Sequence, residues 1–125
     1  MFTGIVEEVG TVRRTEMRSG GIRMHVVASL VLEGTSPGDS VLVDGVCLTV
    51  ENIGEGAFTA FLSEETVAKT NLADAGAGTQ VNLERALAIG GRVGGHLVSG
   101  HVEARGRIRE LERDGEGHRL SVSCP

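Results

Sequence analysis

Aromatic residues are almost absent from this sequence. Its 125 residues include three phenylalanines and no tyrosine or tryptophan. Binding of single-stranded nucleic acid by stacking bases on aromatic side chains therefore has little to work with. A basic surface is lacking as well, because the formal net charge is −5 and lysine and arginine are scattered along the chain. We expect no nucleic-acid partner.

Long apolar runs and a secretion signal are also missing. No stretch approaches the roughly 18 apolar residues of a membrane span, and the N-terminus lacks the basic and apolar regions of a signal peptide. We therefore expect a cytoplasmic protein with no membrane partner. In that compartment the two cysteines, Cys47 and Cys124, are not expected to form a disulfide.

Glycine is abundant, with 19 residues against two prolines. The glycines separate short segments in which apolar residues recur with the spacing of β-strands, as expected for strands joined by turns. Gly10 is expected to mark a bulge or bend, and Asp44-Gly45 predicts a tight hairpin. We predict strands in five segments, the third of which holds two: 4–14, 21–30, 39–53, 56–63 and 79–87.

One short helix interrupts the strands. Ser63 is a favourable N-cap, and Glu64 and Glu65 suit the positive end of the helix dipole. We expect a helix of about two turns that ends near Asn71. Several short strands and one small helix predict an all-β fold, a compact antiparallel barrel or sandwich.

The strongest internal signal is a repeat. Residues 99–125 align with residues 3–29 without a gap, and nine positions are identical where chance would give about two. Ser99-Gly100-His101 then corresponds to Thr3-Gly4-Ile5. We predict a complete barrel at residues 1–90, a junction at 91–97, and the first strands of a second, truncated barrel at 98–125.

Five motifs together resemble riboflavin synthase of the alpha-chain type: MFTGIVEEVG (1–10), DGVCLTV (44–50), SEETVAKTNL (63–72), VNLERAL (81–87) and GGHLVSGHV (94–102). The resemblance implies two closed six-stranded antiparallel barrels of Greek-key type in tandem, and a homotrimer. It implies an enzyme that converts two molecules of 6,7-dimethyl-8-ribityllumazine into riboflavin and 5-amino-6-ribitylamino-pyrimidinedione. A four-carbon unit passes between the two substrates, and neither a metal nor a cofactor takes part.

The resemblance also implies catalytic roles for Cys47, His101 and Phe2. Cys47 would face the bound ring as a nucleophile or polarisable contact. His101 would orient the substrate or accept a proton near neutral pH, from the face of a neighbouring subunit's second barrel. Phe2 would shield the ring from water. From the residues alone, Cys47 is an ordinary buried strand cysteine. Phe2 is either an exposed terminal aromatic or a staple on the first strand.

Substrate-binding roles follow from the same resemblance. The backbone of residues 4–6 would meet the ring, Thr49 the pyrimidine edge and Thr66 the ribityl chain. Val46 stands where many family members carry a second cysteine, so a two-thiol mechanism is not expected. The full implied set is Gly4, Ile5, Val6, Ser40, Val46, Thr49, Thr66 and Gly100.

Other chemistries find less support in the sequence. His96 and His101 lack a third ligand at a useful spacing for a metal site. The glycine-rich segment 90–100 lacks the lysine of a phosphate-binding loop. Two alternatives to the enzyme stay open: a non-catalytic binder of lumazine or flavin, and a ligand-binding fragment without turnover. No special role is expected for His25, His118 and Cys124.

Overall fold

Six antiparallel strands close into a barrel in the computed structural model, which describes all 125 residues. The neighbours around the barrel are β1-β2-β5-β4-β3-β6, and β6 pairs with β1 to close it. The predicted closed six-stranded antiparallel barrel is therefore confirmed. The strands are β1 (Glu8–Arg18), β2 (Gly21–Val27), β3 (Ser40–Val43), β4 (Val46–Gly54), β5 (Ala57–Ser63) and β6 (Gln80–Arg85).

Alternation along the strands fills the barrel interior. On β2 the apolar residues Ile22, Met24 and Val26 point inward and are at most 8% exposed. They belong to a core of 17 buried residues drawn mostly from the six strands. Full burial of one such side chain contributes about 1.5–3 kcal/mol relative to leaving it in water. Most outward positions of the same strands are partly or fully exposed.

The Asp44-Gly45 turn lies where the sequence predicts it, whereas the bulge in β1 does not. Asp44 and Gly45 both have positive φ, 49° and 80°, as the predicted tight hairpin turn requires. The bulge expected at Gly10 lies instead at Arg13. Gly10 is needed for close packing, because a Cβ there would lie 2.5 Å from a methyl carbon of Leu83 and 2.9 Å from the carbonyl oxygen of Val27.

The predicted helix is present as α1 (Glu64–Lys69). The Ser63 hydroxyl caps it by accepting a hydrogen bond from the Thr66 amide at 3.3 Å. The helix ends at Lys69 rather than near Asn71, because Thr70 adopts an extended conformation. Two 3-10 turns, Leu30–Leu32 and Asn71–Asp74, complete the helical structure. No helix has the length and apolar character needed to cross a bilayer.

The hairpin of β7 (Arg107–Asp114) and β8 (Gly117–Ser123) follows the barrel as a separate two-stranded sheet. It reproduces the β1–β2 hairpin of the barrel 96 residues earlier. The bulge between Ile108 and Glu110 repeats the one between Val12 and Arg14. The repeat found in the sequence is therefore also a repeat of backbone structure.

The inward side of this hairpin differs from that of β1–β2 in its burial. In the barrel, Val12, Met24 and Val26 are fully buried. Their counterparts 96 residues later are about half exposed or more: Ile108 65%, Leu120 55% and Val122 47%.

Candidate functional site

Two equivalent segments cross beside the barrel, and we call residues 2–6 the first arm and residues 98–102 the second arm. Phe2 and Val98 form an antiparallel bridge, in which each amide donates to the other's carbonyl oxygen at 2.8 and 3.0 Å. These two residues are themselves 96 positions apart. The arms therefore meet at the same repeat position, as two copies of one segment.

The arms share one turn geometry. Gly4 and Gly100 have positive φ, 81° and 77°. Before each glycine a hydroxyl accepts a hydrogen bond from the amide two residues on, from Ile5 to Thr3 at 3.3 Å and from His101 to Ser99 at 3.2 Å. Glycine suits this left-handed conformation because it has no Cβ.

The second arm is docked on the hairpin between β3 and β4. The Cys47 amide donates to the Gly100 carbonyl oxygen at 2.8 Å. Gly100 lies so close that a Cβ on it would meet the Cβ of Cys47 at 2.9 Å and the side chain of Leu42. Two residues on, Val102 packs against the barrel core. His101, between these contacts, is therefore held over the hairpin.

A cavity of about 320 Å³ opens where the second arm, the β3–β4 hairpin and α1 meet, and we call it the Cys47 cavity. Cys47 reaches it because alternation on β4 turns Val46 and Leu48 inward and leaves the thiol half-buried on the outer face. Its lining residues are Val46, Cys47, Glu65, Thr66, Lys69, Thr70, His101, Val102 and Glu103.

The helix side of the Cys47 cavity is charged. The Lys69 ammonium donates to a Glu65 carboxylate oxygen at 2.7 Å. This hydrogen bond, reinforced by the charge of Lys69, lowers the pKa of Glu65, and the same partner raises the pKa of Lys69. Glu103, which directly follows the second arm, adds to the effect on Lys69. The cavity thus offers fixed charges of both signs at its rim.

Hydroxyl groups lie on α1 and at both of its ends. The Thr66 hydroxyl lies 3.1 Å from that of Ser63, and the buried Thr70 hydroxyl donates to the Thr66 carbonyl oxygen at 2.7 Å. Cys47 adds a thiol and His101 an imidazole. Thiol and imidazole are the groups used for nucleophilic attack and proton transfer near neutral pH. No group of three or more His, Cys, Asp and Glu side chains is placed to hold a metal ion.

The Cys47 cavity brings together four of the residues singled out in the sequence: Val46, Cys47, Thr66 and His101. Gly100 adjoins it through its contact with Cys47. Val46 is only 5% exposed and belongs to the core. His101 was expected on the second barrel, facing another subunit. Within this chain His101 lines the same cavity as Cys47, because the second arm docks on the first barrel. Its position relative to another subunit stays a prediction.

The other predicted residues lie elsewhere. Ile5 and Ser40 line a larger cavity of about 680 Å³, and Gly4 and Val6 line a third of about 390 Å³. Thr49 is exposed on the outer face of β4, two residues from Cys47, outside the Cys47 cavity. Phe2 is 1% exposed and does not line that cavity either. Their functional roles stay predictions.

Five lining residues were missed by the sequence analysis: Glu65, Lys69, Thr70, Val102 and Glu103. Lys69 follows Thr66 by three positions, a spacing that places both on one face of a helix. Glu103 follows His101 by two positions, a spacing that would place both on one side of an extended segment. Thr70 carries no sequence signal of its own. It is buried directly after Lys69, the last residue of the helix.

The fold and the site together define a small β-barrel with a ligand-sized, chemically equipped cavity on its outer surface. Residues 3–86 match the sequence model of the family described as "Lumazine binding domain". The chain belongs to this lumazine-binding domain family.

Curated relatives agree with this assignment. The chain is 44% identical over 112 residues to riboflavin synthase of Bacillus subtilis (strain 168), covering 90% of this chain and 52% of that protein. It is 47% identical over 109 residues to riboflavin synthase of Mycobacterium tuberculosis (strain H37Rv), covering 86% and 54%. The chain spans about half the length of the curated relatives it matches. The resemblance carried by the five motifs is confirmed.

Solved structures show the same fold. The crystal structure of LumP complexed with 6,7-dimethyl-8-(1'-D-ribityl) lumazine superposes with a TM-score of 0.82 at 21% sequence identity, covering 100% of this chain and 67% of that one. The LumP complex with flavin mononucleotide gives a TM-score of 0.85 at 21% identity, covering 100% and 70%. At this level of identity the likeness is one of fold.

Proposed function

We propose that this chain is the lumazine-binding barrel of a riboflavin synthase, together with the start of a second barrel. The enzyme would convert two molecules of 6,7-dimethyl-8-ribityllumazine into riboflavin and 5-amino-6-ribitylamino-pyrimidinedione. The observation that carries the proposal is the docking of the second arm, which holds His101 over the cavity of Cys47 and Thr66. Identity of 44% and 47% to two riboflavin synthases supports it.

The proposed roles follow from the chemistry of the lining groups. Cys47 presents a thiol to the bound ring as a nucleophile or polarisable contact. His101 orients the ring or accepts a proton released from its methyl group. Thr66 hydrogen bonds to the ribityl chain, whose hydroxyls need paired donors and acceptors. The roles proposed for Thr49, at the pyrimidine edge, and for Phe2, in limiting the access of water, rest on the family resemblance, since neither residue lines the Cys47 cavity.

The organisation of the whole protein is part of the proposal. Residues 1–90 form the first barrel, 91–97 the junction and 98–125 the first strands of the second. The exposed apolar side of the β7–β8 hairpin supports this division, since the equivalent side of β1–β2 is core. A homotrimer in the cytoplasm completes the proposal, with the two barrels of neighbouring subunits each binding one substrate.

Turnover and binding measured separately test the function. The full-length protein is incubated with ribityllumazine, and riboflavin formation is followed by absorbance and fluorescence. We expect turnover in the wild type, and a Cys47→Ser variant whose rate falls by more than its affinity for the ligand. Cys124→Ser is the matched control, because that thiol is exposed and far along the chain from the cavity.

Each contrary result has a definite meaning. Tight binding of the ligand without any turnover would show that the protein is a non-catalytic lumazine binder and not an enzyme. A Cys47→Ser variant with an unchanged rate would remove Cys47 from the mechanism while leaving the enzyme in place.

A further inference from the structure

Glu84, on the outer side of β6, is a buried carboxylate with an unusual set of partners. It is 6% exposed. One carboxylate oxygen accepts hydrogen bonds from the Thr3 amide at 2.6 Å and the Thr3 hydroxyl at 2.8 Å, and the other accepts from the Gly4 amide at 3.0 Å. All three donors are uncharged and belong to the first arm. The neighbouring Arg85 pairs with Glu7 instead.

A buried carboxylate is costly unless its oxygens are satisfied. Hydrogen bonds to an ionised acceptor are also stronger than those between neutral groups. Glu84 therefore fixes the first arm more firmly than an ordinary backbone contact would. Glu84 is the one side chain outside the first arm that makes hydrogen bonds to it.

The fixed first arm in turn holds the second. The Phe2–Val98 bridge joins them by two hydrogen bonds, and the His96 amide donates to the Thr3 carbonyl oxygen at 2.9 Å. From Val98 only two residues lead to Gly100, whose carbonyl oxygen accepts from Cys47. A continuous set of hydrogen bonds thus runs from Glu84 through both arms to the rim of the Cys47 cavity.

We propose that Glu84 is a positioning residue, which sets the place of His101 over the Cys47 cavity by anchoring the first arm. The consequence for turnover rests on the proposed function. The consequence for the docking of the arm does not, and it can be measured without any turnover.

Glu84→Gln is the informative substitution. The amide keeps the size of the side chain, but its NH2 group faces a backbone N–H, so that two donors oppose each other. The first arm is expected to shift. Misplacement of a reacting group by about 1 Å can cost as much as 100-fold in rate. We expect kcat to fall about tenfold and KM to change by less than about twofold, because the substrate still enters the same cavity.

Glu8→Gln is the matched control. Glu8 also accepts two backbone hydrogen bonds, from Ser29 at 2.7 Å and Val31 at 2.9 Å. Those partners lie in the β2–β3 connection rather than in an arm. Glu8→Gln is therefore expected to lose similar hydrogen bonds while kcat stays within about twofold of wild type.

Hydrogen exchange of the Cys47 amide reports the docking directly, since this amide donates to Gly100. We expect Glu84→Gln to speed its exchange at least about tenfold by favouring local opening, and Glu8→Gln to leave it unchanged. If Glu84→Gln does not fold, Thr3→Val removes one of the three donors and should accelerate the same exchange by a smaller factor.

A double-mutant cycle separates positioning from general stability. If Glu84 acts through His101, adding Glu84→Gln to a His101→Gln enzyme should cost less than about twofold in kcat. A full tenfold further loss there would overturn the proposal. So would Cys47 amide exchange that neither Glu84→Gln nor Thr3→Val accelerates. Absence of turnover in the wild type would instead refute the proposed function, and the exchange experiment would still decide the role of Glu84.

Discussion

Gly100 and Gly4 allow the docking of the second arm to be tested by one matched pair of substitutions. Both glycines have nearly the same left-handed φ, 77° and 81°. An added Cβ meets very different surroundings. At Gly100 it would lie 2.9 Å from the Cβ and 3.2 Å from the amide nitrogen of Cys47, whereas at Gly4 the nearest atom is a methyl carbon of Val98 at 3.8 Å.

The expected losses of stability follow from these two surroundings. A left-handed non-glycine residue costs roughly 1–2 kcal/mol, and both alanine variants carry that cost. Gly100→Ala also overpacks a filled site, which typically adds about 1–3 kcal/mol. We therefore expect losses of unfolding free energy of about 1 kcal/mol for Gly4→Ala and about 3 kcal/mol for Gly100→Ala. For a chain of this size these correspond to melting temperatures lower by about 4 and 12 °C.

Release of the second arm is the alternative to global destabilisation in Gly100→Ala. It would relieve the clash and limit the loss of stability, but it would uncover Cys47. The test therefore combines thermal unfolding with the rate at which a thiol reagent modifies Cys47, both in a Cys124→Ser background. Either a larger loss of stability or faster modification than in Gly4→Ala supports the docked arm. Equal melting temperatures and equal thiol reactivities in the two variants would refute it.

Two further predictions concern the stability of the barrel. The hydrogen bond from Arg85 lowers the pKa of Glu7 below its ordinary 4.5, so the pair should stabilise the fold above that pH and lose this contribution as the pH falls through the lowered value. Urea unfolding should show a difference between wild type and Glu7→Gln that shrinks in acid, with the exposed Glu116→Gln as control; a difference that grows in acid would contradict the sign. Ser63→Ala should cost about 1 kcal/mol by removing the helix cap, while the exposed Ser19→Ala should be neutral, and equal effects would argue against capping.

Local features of the fold could be predicted from the sequence because they depend on neighbours along the chain. The Asp44-Gly45 turn needs only two residues that tolerate positive φ, and the buried face of β2 needs only alternation. Ser63 capped its helix as expected. The predicted position of the bulge was wrong by three residues. Gly10 is there because it packs against the side chain of Leu83, more than 70 positions away in the chain.

The candidate site was predicted only in part, for the same physical reason. The sequence identified Cys47, Thr66 and His101 as separate candidates through a family resemblance. Their meeting depends on the bond between Cys47 and Gly100 and on the bridge between Phe2 and Val98. Neither contact joins residues that are close in sequence, and no local propensity encodes them.

Glu84 is an example of a buried, hydrogen-bonded residue that the sequence alone does not reveal. On β6 it lies two positions after the exposed Asn82, on the same face, and so points away from the barrel core, as a carboxylate should. Strand alternation therefore assigns it to the solvent face. It is buried because the first arm, some 80 residues earlier in the chain, covers it.

The two arms separate what the fold requires from what the proposed chemistry requires. Both keep a hydroxyl residue followed by a left-handed glycine, and the hydroxyl-to-amide distances of 3.3 and 3.2 Å are nearly the same. The next position is Ile5 in one arm and His101 in the other, with no visible effect on the turn. The turn therefore tolerates either side chain, and the imidazole is not needed to form it. The backbone of the second arm holds residue 101 over the β3–β4 hairpin. In the proposed chemistry, His101 adds an imidazole to the cavity that holds the Cys47 thiol, where proton transfer would be coupled to attack on a bound ring.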